Sequence, residues 1–445
     1  MKTINTVLQV AMIMLLLNCN RFLDEKSDST LATAETLADN QALLDDYATL
    51  ASNSTSGEIA AEDVFVTDAD FNTMYDEAMK RLYTWQPSYV SLPTGSDWEN
   101  CFRRIKIYNT VLFNLGHYEI GNSENVEGQA LLLRGAAYLE AAQIWCLAYD
   151  KNTAETKLGL PLRLDPDMNI PSVRSTLQET YSQILADLHR AVILLPVNQL
   201  AVSRPSKITA LAYLSRAYLY MGDYTNALKH GKEALSYHDG LMNFNTLNPA
   251  SAYPIKNKNV EVLLPTLMSY SPFLATTKAK INNDLYHSYD INDLRKTIFF
   301  KPLATGEILF KGNYSGSTTR MTCIATDEVF LNVAEAQAYL DDKTSAMHTL
   351  NDLLRTRWKS ETFIELSASS GAQALQIIRA ERRKELLFRG LRWADLKRYN
   401  REGANISLSK IISGQLFTLP PNDLRYAIAI PEDIIKMTGM PQNPR

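Results

Sequence analysis

From about Leu37 onward, apolar residues recur at intervals of three and four, and the alternation of a half-buried strand is scarce. A chain with that period buries its apolar faces by packing helix on helix. One stripe runs Leu177, Tyr181, Ile184, Leu188, Ala191 and Leu195, with Thr176 and Glu179 spaced as a capping box and Pro196 as a stop. A second runs Leu131, Gly135, Tyr138, Ala142, Trp145 and Tyr149. Both predict interior helices of a packed helical body. With 445 residues, 46% hydrophobic and 21% charged, the chain can bury a sizeable core.

Two helix pairs look like tetratricopeptide units. The first spans Leu211 to Tyr224 and continues through Ala227 and Ala234, with Gly222-Asp223 as its tight turn. The second runs from Phe330 through Ala336 and Tyr339 to an Asp341-Asp342 turn, then Ala346, Leu350 and Leu354. Ala217 and Ala227 map onto Ala336 and Ala346 at one common offset, and Arg134 to Tyr149 supplies a candidate first helix of a further unit. Between the pairs, Asp239 to Thr326 is rich in Asn, Ser and Thr yet carries Phe244, Tyr253, Tyr270, Phe273, Tyr286, Tyr289, Phe310 and Tyr314. So many aromatics argue against disorder, and a long irregular insertion is usually functional surface. The expected fold is therefore all-α: a tetratricopeptide-like superhelix of helical pairs with an irregular, loop-rich subdomain. The expected boundaries are 37–240 for the N-terminal helical and tetratricopeptide-like region, 241–325 for the insertion and 326–445 for the C-terminal helices. Residues 37–445 are expected to form one unit.

The first residues read as an address. Lys2 is followed by an apolar run, Val7 to Leu17, too short to span a membrane and ending at Leu16-Leu17-Asn18-Cys19. This predicts a lipoprotein signal peptide over 1–18, lipidation at Cys19 and a polar tether over 19–36. Asn18 departs from the small residue usual before such a cysteine. Cys101, Cys146 and Cys323 form no CxxC pair, and Cys101 and Cys146 read as small buried hydrophobes on helices. The formal net charge of −4 argues against a nucleic-acid partner, which would need a clustered basic face.

Several segments, in order, resemble the SusD/RagB family of outer-membrane nutrient-binding lipoproteins of Bacteroidetes. They include Phe22-Leu23-Asp24 after Cys19, and Trp98 to Ile105 followed by Asn109, with Phe102 in place of the family's usual Tyr. Next come Arg134, Ala136 and Tyr138 with Leu160-Pro161, then Arg174-Ser175-Thr176 through Asp187-Leu188 to Leu195-Pro196. The most specific segment is Glu381 to Arg398, ERRKELLFRGLRWADLKR, where Arg389 replaces a usual Glu. The ending Ile430-Pro431-Glu432 and Pro441 to Pro444 is similar as well. The resemblance covers nearly the whole mature chain. It implies a lipid-anchored protein exposed at the cell surface that captures a nutrient oligomer and closes over a SusC-like, TonB-dependent barrel transporter. The family is mostly associated with glycan uptake, although some relatives handle peptides.

The Glu381 to Arg398 block concentrates carboxylates and guanidinium groups, but Glu381 and Glu385 sit one turn apart among Arg382, Arg383 and Lys384, a spacing that suits intrahelix ion pairs. The block is therefore expected to be structural. The six histidines stand apart without a metal-ligand spacing, and no G-x-S-x-G elbow, P-loop or dinucleotide glycine pattern occurs. No enzyme, metal or cofactor is expected. Oligosaccharides offer apolar C–H faces to aromatic rings and hydroxyls to polar groups. Two stretches carry that mixture: Asp68 to Trp98, with Asp68, Asp70, Trp85 and Tyr89, and the insertion, with Tyr286, Tyr289 and Tyr314. Trp85 heads the candidates because it precedes Pro87 in a loop-like segment, while Trp98 falls in a helix motif. Packing remains the commoner role of any one aromatic. The alternatives are oligopeptide capture by the same fold, and a tetratricopeptide adaptor that binds only proteins.

Overall fold

A computed structural model of the chain describes residues 34–86 and 95–445. The leader, Cys19, most of the tether and Tyr89 lie outside the described residues. Among the described residues, the ten helices of eight or more residues are α1 (Leu37–Leu44), α2 (Asp97–His117), α3 (Glu124–Trp145), α4 (Leu177–Leu194), α5 (Lys207–Met221), α6 (Tyr224–Tyr237), α7 (Thr326–Tyr339), α8 (Lys343–Arg355), α9 (Gly371–Glu385) and α10 (Arg392–Arg401). From α2 to α7 each packs on the next, and α7 packs on both α8 and α9.

Local chemistry explains these elements. At the start of α4, the Glu179 N–H donates to the Thr176 hydroxyl at 3.1 Å while the Thr176 N–H donates to the Glu179 carboxylate at 2.8 Å. The stripe from Leu177 to Ala191 is buried against α3. Gly222, at φ +80°, turns the chain from α5 into α6, and Asp223 caps α6 by accepting from the Asn226 N–H. In the second pair Asp341 takes the left-handed position at φ +61°, which its short polar side chain tolerates, and Asp342 caps α8. Small residues let the pairs meet: a Cβ on Gly231 of α6 would lie 2.6 Å from Val333 of α7, and Ala227 and Ala336 share a buried cluster.

The chain is mostly helical, but it departs from an all-α expectation through six two-stranded ladders among the described residues. β1 (Ser52–Asn53) lies parallel to β6 (Leu267–Met268). The other five are antiparallel: β2 (Val64–Phe65) with β7 (Lys280–Ile281), β3 (Leu158–Pro161) with β4 (Arg174–Thr176), β5 (Val262–Leu264) with β10 (Ile324–Ala325), β8 (Phe300–Pro302) with β9 (Ile308–Phe310), and β11 (Leu408–Ile412) with β12 (Gln415–Leu419). Strands this short carry too little alternation for a sequence pattern to register. The β1–β6 and β2–β7 ladders tie residues 52–65 to the 241–325 segment. One apolar core runs from Leu44 to Met440 and includes Phe273, Ile281 and Phe299 of that segment, while a smaller one lies among α7, α8 and α9.

The Glu381 to Arg398 block mostly joins elements, which corrects the expected intrahelix pattern, although Lys384–Glu381 and Arg398–Asp395 do pair within a helix. Lys384 to Glu381, at 2.8 Å, is an i,i+3 pair. The block's other pairs mostly reach farther. Glu385 receives Arg295 at 3.0 Å and Arg357 at 2.8 Å, and Arg357 reaches Glu261 at 2.7 Å. Arg295 also binds Asp293 at 2.7 Å and Glu381 at 2.5 Å. Arg398 holds Glu335 bidentately at 2.7 and 2.7 Å. Arg389 donates to Asp327 at 3.1 Å and to the Cys323 carbonyl at 2.7 Å. The Trp393 indole is buried and donates to the Tyr426 carbonyl at 3.1 Å. Because these groups are buried, the weak worth of exposed pairs does not apply to them. Burial pushes the Asp395 carboxyl up, but Arg382 and Arg398 outweigh it and hold the group at about 2. Cys101, Cys146 and Cys323 are buried free thiols whose pKa values burial raises to about 12, 11 and 12.

Candidate functional site

The structure separates the aromatics that the sequence grouped. Trp85 follows the short helix Glu77–Tyr83 with φ +52° and is only 4% exposed. Its indole N–H donates to the Ala60 carbonyl at 2.9 Å, and the Lys410 ammonium lies 4.6 Å from its ring and 3.7 Å from that of Tyr83. Lys410 is itself buried, which holds its pKa well below the usual lysine value. Trp85 is thus a packing residue at a helix end, not a loop-borne platform. A cavity of only about 20 Å³ adjoins it, room for little more than a water.

Tyr289 and Tyr314 are buried too. The Tyr289 hydroxyl donates to the Lys384 carbonyl at 2.8 Å. The Tyr314 hydroxyl lies 2.6 Å from Glu261 and 3.2 Å from Asp327, with Arg389 stacked 4.8 Å from its ring. Both tyrosines belong to the charge network of the signature block. Asp68 accepts from the Ser413 N–H at 2.9 Å, and Asp70 accepts from the Thr67 hydroxyl at 2.9 Å at the start of a short helix. Neither is among the residues that line the cleft described next, and of the described candidate residues Tyr286 is the one placed on it.

That cleft has a volume of about 760 Å³, within the range of about 300–1,000 Å³ common for ligand sites. It is built on the β8–β9 hairpin, in which Phe300 pairs with Phe310 and Lys301 with Leu309. Phe300 and Phe310 turn their rings into the core and anchor the hairpin, while Lys301 is exposed. The short helix Arg295–Phe299 contributes Lys296 and Thr297 to the wall, and the loop from Pro249 to Tyr253 forms the opposite rim. Tyr253 and Tyr286 are half-buried. The Lys296 ammonium donates to the Tyr289 carbonyl at 2.7 Å and sits 5.1 Å from the centre of the Tyr286 ring. Lys311 donates to the Pro249 carbonyl, and burial, together with the charge on Lys301, pushes its pKa below the usual value. Tyr253, Lys296, Lys301 and Lys311 were not singled out from the sequence as site residues. The available signal was a repeated Phe-Lys pair, Phe300-Lys301 and Phe310-Lys311, which a hairpin brings together.

An open, part-aromatic cleft thus lies on the irregular side of a helical scaffold. Residues 21–219 match the family model SusD-like_3, described as starch-binding associating with outer membrane, and residues 310–435 match SusD_RagB, the SusD family. The chain belongs to the SusD/RagB family. Among solved structures it is similar to a SusD superfamily protein from Bacteroides thetaiotaomicron VPI-5482, with 22% identity and a TM-score of 0.76 over 92% of this chain and 100% of that one. A SusD-like carbohydrate binding protein from Bacteroides vulgatus ATCC 8482 shares 20% identity, with a TM-score of 0.67 over 91% and 96%. A SusD-like protein from Bacteroides fragilis NCTC 9343 shares 17%, with a TM-score of 0.71 over 94% and 98%. No curated protein matches the chain by sequence.

Proposed function

We propose that this chain captures a nutrient oligosaccharide in the cleft between the β8–β9 hairpin and the 249–253 loop and delivers it to a SusC-like, TonB-dependent barrel in the outer membrane. In this reading it is a binding protein without catalysis, tethered through lipid on Cys19 with its cleft outside the cell. The paired helices α5–α6 and α7–α8 serve as a tetratricopeptide-like scaffold, and the 241–325 segment is its recognition face. The observation that carries the reading is the cleft itself: two half-buried tyrosines, Tyr253 and Tyr286, line it beside the β8–β9 hairpin in a chain of this family. The carbohydrate-binding description of the Bacteroides vulgatus relative supports a sugar over a peptide.

Calorimetry of the mature protein against a panel of oligosaccharides and oligopeptides tests this. An oligosaccharide should bind, and Tyr253→Ala and Tyr286→Ala should each weaken it by about 1–3 kcal/mol, as stacking residues at an interface hot spot do. Binding of peptides but of no oligosaccharide would replace the glycan reading with oligopeptide capture.

A further inference from the structure

We propose that the ligand of this cleft is a polyanionic oligosaccharide, one bearing uronate carboxylates or sulfate esters, held by Lys296, Lys301 and Lys311; the proposal rests on the glycan-capture reading above. The chain as a whole carries a net charge of −4, yet among the described residues the cleft lining holds three lysines and no aspartate or glutamate. None of the three forms an ion pair among the described residues, whereas the buried arginines in and around the signature block are paired. A concave surface lined by one sign of charge concentrates ligands of the opposite sign.

Two of the ammonium groups are already held in place. The Tyr289 carbonyl takes one N–H of Lys296 and the Pro249 carbonyl takes one of Lys311, so each retains donors for a ligand at little further cost in side-chain freedom. The rest of the lining points the same way. Neutral sugars are mostly donors and acceptors of hydroxyl hydrogen bonds, for which carboxylate and carboxamide side chains are the usual partners. This lining has neither and offers only the hydroxyls of Ser251, Thr276, Thr297 and the two tyrosines. Charge-assisted bonds from ammonium groups to anionic oxygens are the strong interactions this set can make. The lowered pKa of Lys311 has causes that a bound anion would oppose directly, since the anion offsets both lost solvation and the charge on Lys301.

The test is calorimetry on the mature, folded protein with four probes: oligogalacturonate, a chondroitin sulfate oligosaccharide, maltoheptaose and oligoglutamate. One of the two anionic sugars should bind, and which one does separates carboxylate from sulfate recognition. Its affinity should fall steeply with ionic strength. Lys301→Ala and Lys296→Ala should each weaken binding about tenfold, as loss of a hydrogen bond to a charged group does, and Lys301→Arg should restore most of it. Maltoheptaose bound as tightly by Lys301→Ala as by wild type, without salt dependence, would overturn the anionic class while leaving glycan capture standing. Binding of oligoglutamate alone would overturn the glycan, and binding of none of the four would overturn both readings.

Discussion

The signature block and the cleft are both dense in charge, and they use it in opposite ways. In the network around the block, Arg382 and Arg398 and the incoming Arg295 and Arg357 are 1%, 1%, 0% and 0% exposed, and each meets a carboxylate within 3.0 Å. A guanidinium taken that far from water must be paired, because desolvation would otherwise cost several kcal/mol. In the cleft, Lys296, Lys301 and Lys311 remain part or fully exposed, so water screens them and no counter-ion is required. A charge whose partner lies within the protein holds the fold together. One whose partner is water is available to a ligand.

The largest expected effect comes from unpairing the block. Arg357→Ala leaves Glu261 and Glu385, both fully buried, without the cation between them. The cost should be about 3–5 kcal/mol of unfolding free energy at neutral pH, measured by denaturant titration. Acid should restore part of it, because burial already pushes the Glu261 carboxyl up and protonation removes the uncompensated charge. A loss below about 1 kcal/mol would mean that the network is solvated and would erase the contrast with the cleft.

What the sequence revealed follows the same division between local and distant causes. α4 was legible because its stripe, capping box and Pro196 stop all act within one helix, and the Gly222 turn likewise. The partner of Glu381 was not, since Arg295 stands 86 residues away and reaches it only through the tertiary fold. β1 and β6 are two residues each and pair across more than 200 positions, so no periodicity announces them. Trp85 looked like a loop residue because Pro87 follows it, but its burial is decided by Ala60 and Lys410, which the chain brings in from both sides. Tyr286 carried a legible hint, while the three lysines became a set only once the short helix Arg295–Phe299 and the hairpin brought them to one cleft.

Glu58 lies between the two regimes, buried yet without a paired cation at hydrogen-bond distance. It is 3% exposed and accepts from the Gly390 N–H at 2.8 Å, and burial, reinforced by the Asp63 carboxylate, raises it from 4.5 to about 7. In the folded state the group therefore keeps its proton up to about pH 7, whereas the unfolded chain releases it near pH 4.5. Between these values the unfolded state binds fewer protons, so the contribution of Glu58 to stability falls as pH rises and is level above pH 7. A shift of this size corresponds to about 3 kcal/mol. Glu58→Gln keeps the acceptor and removes the titration. Its unfolding free energy should exceed that of wild type above pH 7 by up to that amount, and the difference should vanish toward pH 4. A difference that is flat with pH would show that Glu58 is ionised and paired, like the carboxylates of the block.

The smallest expected change in stability is the one that defines the cleft. Lys301→Ala removes an exposed cation with no carboxylate partner among the described residues, so the unfolding free energy should stay within about 0.5 kcal/mol of wild type. The sign should favour the variant, because the charge removed repels Lys311. The same repulsion helps lower the Lys311 pKa, so in Lys301→Ala the Lys311 ammonium should titrate at higher pH. It should remain below an ordinary lysine, since burial, the larger cause, is unchanged. Side-chain nitrogen or Cε chemical shifts of Lys311 followed by NMR give this directly. A downward movement of that titration, or a stability loss above about 1 kcal/mol, would mean that Lys301 has a counter-charge after all. The cleft would then be a second structural ion network, and its lysines would not be free for a ligand.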